Sequence, residues 1–158
     1  MTPPTATPEP ARTLAPNARV LWRIEGLVAT VMAVAAAAVV HGVVGGWIAA
    51  LSWAGAVLVA AIGLVLVPEL RWRRWRWEVR EHEIDIRHGT IAVTRTLVPM
   101  LRVQHVDTRR DLIQQQLGLA TVVFHTAAGA NEIPALTVDE AGHVRDRIAE
   151  LARTADEL

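Results

Sequence analysis

Arg71, Trp72, Arg73, Arg74, Trp75 and Arg76 are the densest run of chemically capable side chains in this sequence. Guanidinium groups attract anionic headgroups at about 1 kcal/mol each near a bilayer surface, and indole rings settle at headgroup level. The run therefore reads as a lipid interface, although any protein with an upstream span needs the same residues as a stop-transfer and topology signal. A second set, Arg102, Gln104, His105, Arg109 and Arg110, would suit a phosphate or a partner's carboxylates, which paired guanidinium groups bind through charge-assisted hydrogen bonds. The plainer reading is that these groups satisfy backbone atoms and acids such as Asp107 within the fold. His82, His88, His105, His125 and His143 raise metal binding. However, Ile86 stands where His82-Glu83 would need a second histidine, and no pair has zincin spacing. Strand pairing between His105 and His125 is the arrangement that stays open. No catalytic residue, metal ligand or cofactor is assigned.

The missing residue types exclude more chemistry than the present ones offer. The chain has no Cys, no Lys and no Tyr, and its one Ser, Ser52, lies in an apolar run. Disulfides, thiolate nucleophiles and Cys-ligated metals are excluded. A Schiff-base amine and a Walker-A lysine are excluded too, as is a Ser/His/Asp hydrolase in the polar part.

The elements that position these groups divide sharply by composition. Gly26 to Pro68 is 43 consecutive positions without a charged residue, and all 16 Arg and 16 acids lie outside it. Hydrophobicity runs from Leu27 to Val44, pauses at Gly45-Gly46, and resumes from Trp47 to Val67. The second stretch is about 31 Å of helix, matching a hydrocarbon core of about 30 Å. The first leans on Ala, and its His41 near the far end reads as an interfacial imidazole. It is also longer than the roughly 7–15 residues of a signal-peptide core. Residues 19–68 are thus a two-helix transmembrane hairpin, preceded by a Pro-rich tail over residues 1–18 that lacks any apolar period and reads as disordered.

Arg12, Arg19 and Arg23 precede the hairpin, Arg71, Arg73, Arg74, Arg76 and Arg80 follow it, and the intervening turn is uncharged. By the positive-inside rule both termini are cytoplasmic, which places the chain in the plasma membrane with two spans.

After the juxtamembrane segment, residues 69–77, the period changes to 2 and a cytoplasmic domain over residues 75–158 begins. Trp75, Trp77 and Val79 alternate with charges, as do Ile84 and Ile86. Strands are expected over Thr90 to Val98, Leu101 to Thr108, Leu119 to Thr126 and Glu132 to Leu136, with a loop or helical turn over Arg109 to Leu117. Thr137 and Glu140 form a capping box for a last helix whose stripe is Ala141, Val144, Ile148, Leu151 and Ala155.

The order of these pieces resembles the bacterial pleckstrin-homology (PH) domain membrane proteins of the YdbS-like group. The resemblance rests on Glu83 to Ile91 (EIDIRHGTI), Val98 to Asp107 (VPMLRVQHVD), Leu117 to Val122 (LGLATV) and His125 to Gly129 (HTAAG). It covers residues 20–155. Members often carry Gly-Pro-Leu and an Arg before Leu-Gly-Leu, where this chain has Asp111-Leu112-Ile113 and Gln115, so no anion-contacting role is given to that loop.

The resemblance implies a PH-like barrel of about seven strands with a C-terminal helix, no catalytic activity, and association with another PH-containing membrane protein. The function expected is a non-enzymatic, membrane-anchored binding or scaffold module that engages another membrane protein, itself as a homo-oligomer, or membrane lipids. The alternatives are an accessory subunit of a transport or export complex and, less favoured, a membrane-adjacent hydrolase using Asp, Glu and His. Residues 81–158 hold 8 Arg against 12 acids, which argues against nucleic acid as a partner.

Overall fold

The computed structural model describes residues 8–90 and 92–156. Helix α1 spans Ala18–Val43 and is 26 residues long. It is followed by α2, Gly46–Ala61, a π turn at Ile62–Leu66, and α3, Val67–Arg74, which together make one 29-residue apolar helix. Gly45 and Gly46 turn the chain between them at φ +64° and +62°, a region that side chains enter only at a cost. Along the hairpin Val28, Met32, Val39, Leu51, Val57 and Val65 are exposed, as lipid-facing residues must be.

The two helices meet where Gly26 faces Gly63. A Cβ placed on Gly26 would lie 2.2 Å from the Gly63 carbonyl oxygen, so the backbones touch with no side chain between them. Close approach of small residues is how helices pack in lipid, where no hydrophobic drive brings them together. The π turn sits at this crossing. Pro68 has no N–H for the Leu64 carbonyl and its ring crowds that carbonyl; widening the preceding turn, with Val67 N–H bonded to Ile62 O, is one way to relieve both.

Beyond the hairpin come β1 (Arg76–Val79), β2 (Glu83–His88), β3 (Thr94–Pro99), a 3-10 turn at Met100–Arg102, and β4 (Val103–Arg109). Then follow α4 (Leu112–Leu117), β5 (Leu119–Thr126), β6 (Gly129–Thr137) and α5 (Val138–Asp156). The strands form two antiparallel sheets of three, ordered β1-β2-β3 and β4-β5-β6. Trp77 pairs with Ile86 and Val79 with Ile84, as the alternation predicted.

The expected closed barrel of about seven strands is corrected to six strands in two open sheets among the described residues. The third strand was expected from Thr90 but begins at Thr94; Ile91, inside that expected span, lies outside the described residues. Pro99 then ends β3, because it cannot donate to a ladder, and the 3-10 turn carries the chain into the second sheet without joining the two edges.

α5 packs on the second sheet through Ala141, Val144, Ile148 and Leu151, all buried. Thr137 Oγ1 accepts the Glu140 N–H at 3.3 Å, so the cap forms, while the Glu140 carboxylate stands 4.0 Å from Arg12.

Residues 8–17 do not behave as a disordered tail. Arg12 bridges to Trp77 in antiparallel register, with backbone bonds of 3.1 and 3.0 Å, and Ala15 N–H donates to Ala135 O at 3.3 Å. The segment is therefore a strap from the free edge of β1 to β6. It is met there by Ala135, whose left-handed backbone (φ +51°) follows Pro134 at a register shift. Leu14 and Ala15 are buried, and with Ala18, Leu21 and Trp22 of α1 they belong to the same core as Trp77, Ile84, Phe124 and Ile148. α1 is about 39 Å long against a hydrocarbon core of about 30 Å, and its surplus end enters that core. Residues 1–7, the rest of the expected tail, lie outside the described residues.

Two outcomes test this packing. Gly26→Ala should lower the thermal unfolding midpoint in detergent by an overpacking cost of about 1–3 kcal/mol, while Gly55→Ala, with open space around it, should leave the midpoint unchanged or raise it. Leu14→Asp should destabilise the whole domain by several kcal/mol, because a carboxylate would enter an apolar core; normal protease resistance of that variant would refute the strap.

Candidate functional site

The juxtamembrane arginines and tryptophans were expected to face lipid headgroups. The structure turns most of them toward one another. The Arg71 guanidinium lies 4.5 Å from the Trp22 ring centroid and 3.5 Å from Glu25, on the facing helix. Arg19 lies 4.5 Å from the Trp72 ring and 3.3 Å from Glu69, which also takes Arg73 at 2.6 Å. Such stacked, bridged guanidinium groups hold the ends of α1 and α3 together.

Trp72 and Trp75 make their polar and ring contacts within the protein. Trp72 is half-buried and its indole N–H donates to the carbonyls of Leu14 and Ala15, both at 3.2 Å. Trp75 is buried and stacks on His88 with ring centroids 4.9 Å apart. Arg76 donates to the Trp75 carbonyl at 2.8 Å. Arg73 and Arg74 stay exposed, Arg74 bonding the Thr90 carbonyl. Of the six residues, these two and Arg71 still offer charge to a surface.

Beside them, Arg71, Trp75, Ile86, His88, Thr96, Asn131 and Glu132 line an open cleft of about 330 Å³ at the junction of the two sheets. The Trp75 indole N–H is buried without a hydrogen-bond partner.

The second expected patch does not converge. Arg102 ends the 3-10 turn and Gln104 sits at a register shift, both exposed at the start of β4. Arg109 and Arg110 lie at the other end of that strand, on the order of 20 Å away at about 3.3 Å per residue. Arg109 pairs with Glu132 at 3.4 Å, and Arg110 donates from Nε to the Leu119 carbonyl at 3.0 Å. The register does place His105 opposite His125, with ring centroids 6.0 Å apart, and His105 Nε2 stands 3.0 Å from Asp107. Both members of that pair are open to solvent, and no group of three ligating side chains that could hold a metal occurs among the described residues.

Alternation missed one cluster. Asp85 was expected to point to water with Glu83 and Arg87, yet it is fully buried. Arg95 grips it bidentately at 3.1 and 2.7 Å, and Arg80 approaches at 3.3 Å. Arg80 also bonds Glu78 and Glu83, and both arginines donate to the Pro8 carbonyl at 2.5 and 2.9 Å. Hydrogen bonds to Glu78 hold the Arg80 guanidinium above its ordinary pKa, and the bonds to Asp85 do the same for Arg95. Stability from a raised basic pKa is lost only above the ordinary arginine range, so Arg80 and Arg95 keep their own charge at any working pH. The strap's Pro8 and the Glu9–Arg87 pair at 2.5 Å cover it.

Residues 24–152 match the bacterial PH domain family. The transmembrane protein YdbS of Bacillus subtilis (strain 168) is 38% identical over 156 residues, covering 94% of this chain and 97% of that protein. The transmembrane protein YdbT of the same organism is 27% identical over 91 residues, 55% of this chain but only 18% of YdbT. No solved structure matches.

Asp85→Ala removes the shared acceptor and leaves Arg80 and Arg95 facing each other over a buried site. It should lower the unfolding midpoint by at least about 5 °C on the scale of domains this size. Asp107→Ala, at a solvent-exposed pair, should change it little; equal effects of the two would mean that Asp85 is not a central charge.

Proposed function

As the chain belongs to the bacterial PH domain family, we propose that it is a non-enzymatic, membrane-anchored scaffold whose PH-like domain engages another membrane protein or a second copy at the cytoplasmic face. The observation that carries this reading is the shared core: Ala18, Leu21 and Trp22 of a membrane-spanning helix are packed with both sheets. A domain built around the end of its own anchor has a fixed distance from the bilayer. That geometry suits docking between membrane neighbours, because the binding surface needs no ordering when it meets its partner.

The electrostatics support the orientation. Arginines flank both outer ends of the hairpin while the Gly45-Gly46 turn carries none, which favours a cytoplasmic domain in the plasma membrane. Arg71, Arg73 and Arg74 would add attraction to anionic lipid, reduced where Glu25 and Glu69 already neutralise them. The non-enzymatic reading is supported by how the titratable groups are used: Asp85 is buried and taken up by Arg80 and Arg95, and His105 and Asp107 lie open on a sheet face.

A reporter fused after Leu158 should be active on the cytoplasmic side only, and mild-detergent purification should recover a defined membrane partner or a homo-oligomer. An externally active reporter would overturn the orientation. Recovery of monomer alone would overturn the scaffold.

A further inference from the structure

α4 presents two large aliphatic side chains to solvent: Leu112 is 80% exposed and Ile113 is 39% exposed. The other side of this helix is fixed. Gln114 is buried and its amide donates to Thr121 Oγ1 at 3.0 Å, and Leu117 packs against the core. Asp111 caps the helix by accepting the Gln114 N–H at 2.7 Å. The aliphatic pair is therefore held outward by a built helix and is not a frayed loop.

The position of α4 identifies what covers it. Asn17, the residue just before α1, donates its side-chain amide to the Leu117 carbonyl at 3.3 Å, and α4 contacts α1. From Asn17 to Leu27, where the apolar run begins, is about 15 Å of helix. The headgroup layer accounts for about 5–8 Å of that, as the difference between a 40–45 Å bilayer and its 30 Å hydrocarbon core shared over two faces. The remaining distance is close to the roughly 7.5 Å that α4 spans from Leu117 back to Leu112.

We infer that Leu112 and Ile113 form an apolar wedge that dips into the headgroup layer of the leaflet bearing the domain, making α4 a second membrane contact beside the hairpin. The Leu112 end of α4 is the one on the bilayer side: Arg109, three residues before it, pairs with Glu132, and Glu132 lines one cleft with Arg71 at the membrane end of α3. The contact is apolar in kind. Arg109 is paired with Glu132 and Arg110 is partly held by the Leu119 carbonyl, so neither brings a free charge dedicated to anionic headgroups. The inference rests on α1 spanning the bilayer, and it holds whichever side the domain occupies and whether or not a protein partner exists.

The absence of cysteine makes the test direct. Leu112→Cys, Ile113→Cys and, as a reference on α5, Glu150→Cys are labelled singly with an environment-sensitive fluorophore in the full chain and reconstituted in phosphatidylcholine vesicles. The labels at 112 and 113 should emit at shorter wavelength than the reference and be quenched several-fold more strongly by lipids brominated near the headgroup. Emission and quenching equal to the reference would overturn the wedge. A blue-shifted label that brominated lipid fails to quench, and that reverts to the reference on dilution into excess lipid, would assign the patch to a second copy and overturn it as well. Quenching only when anionic lipid is added would replace an apolar contact with an electrostatic one, which is also a refutation.

Discussion

The indole N–H groups of Trp72 and Trp77 donate to the carbonyls of Thr13, Leu14 and Ala15, and the rest of the molecule depends on that clasp. A strap with so few side chains to bury gains little from hydrophobic contact alone, so its backbone must find partners. The indoles supply them from a membrane-end helix and from the first strand. Once the strap lies there, its bridge to β1 and its bond to β6 span the open side between the two sheets. Arg80 and Arg95 then have the Pro8 carbonyl over the buried Asp85. Anchor, strap and domain are one packed body.

The arginines have been spent accordingly. A guanidinium group can stack on an indole face and bridge a carboxylate at the same time, which an ammonium group cannot do with equal fit. Arg19 and Arg71 each do both, to Trp72 with Glu69 and to Trp22 with Glu25. The charge that sets topology during insertion is thus reused as the mortar between helix ends. This reduces what is left over for anionic lipid, and it explains why a run of arginines and tryptophans need not be a lipid-binding surface.

Period-2 alternation and the 3.6-residue stripe were legible in the sequence because they record local geometry: Trp77, Ile84 and Ile86 turn inward as expected, as do Ala141, Val144 and Ile148. The glycine pair at the hairpin tip was equally plain. Asp85 was not, because its burial comes from Arg80, Arg95 and Pro8, none of which alternation can place above it. The strap escaped for a related reason. Its polar contacts are made by backbone N–H groups and carbonyls, and a Pro- and Thr-rich stretch shows no period when the backbone does the binding. The patch from Arg102 to Arg110 looked compact in sequence, but a strand separates residues by about 3.3 Å each, so proximity along the chain becomes distance in space. The pairing of His105 with His125 stayed open in the sequence, because each falls on an expected strand but only the β4–β5 register sets them opposite each other.

Fixed mounting also restricts which surfaces can act. A domain on a flexible linker samples many heights and angles, and any face can meet a partner. Here α1 enters the core at Ala18, and only Trp75 separates the end of α3 at Arg74 from the start of β1 at Arg76. Rotation of the domain against the hairpin would break the Trp72 bonds to the strap and pull Ala18, Leu21 and Trp22 out of the shared core together. Surfaces near the helix ends are thus held beside the hairpin. Among the described residues β3 and β4 are each paired on one side only, and α5 packs along β4, so of these two edges β3 is the one that an added extended segment would reach with the least rearrangement.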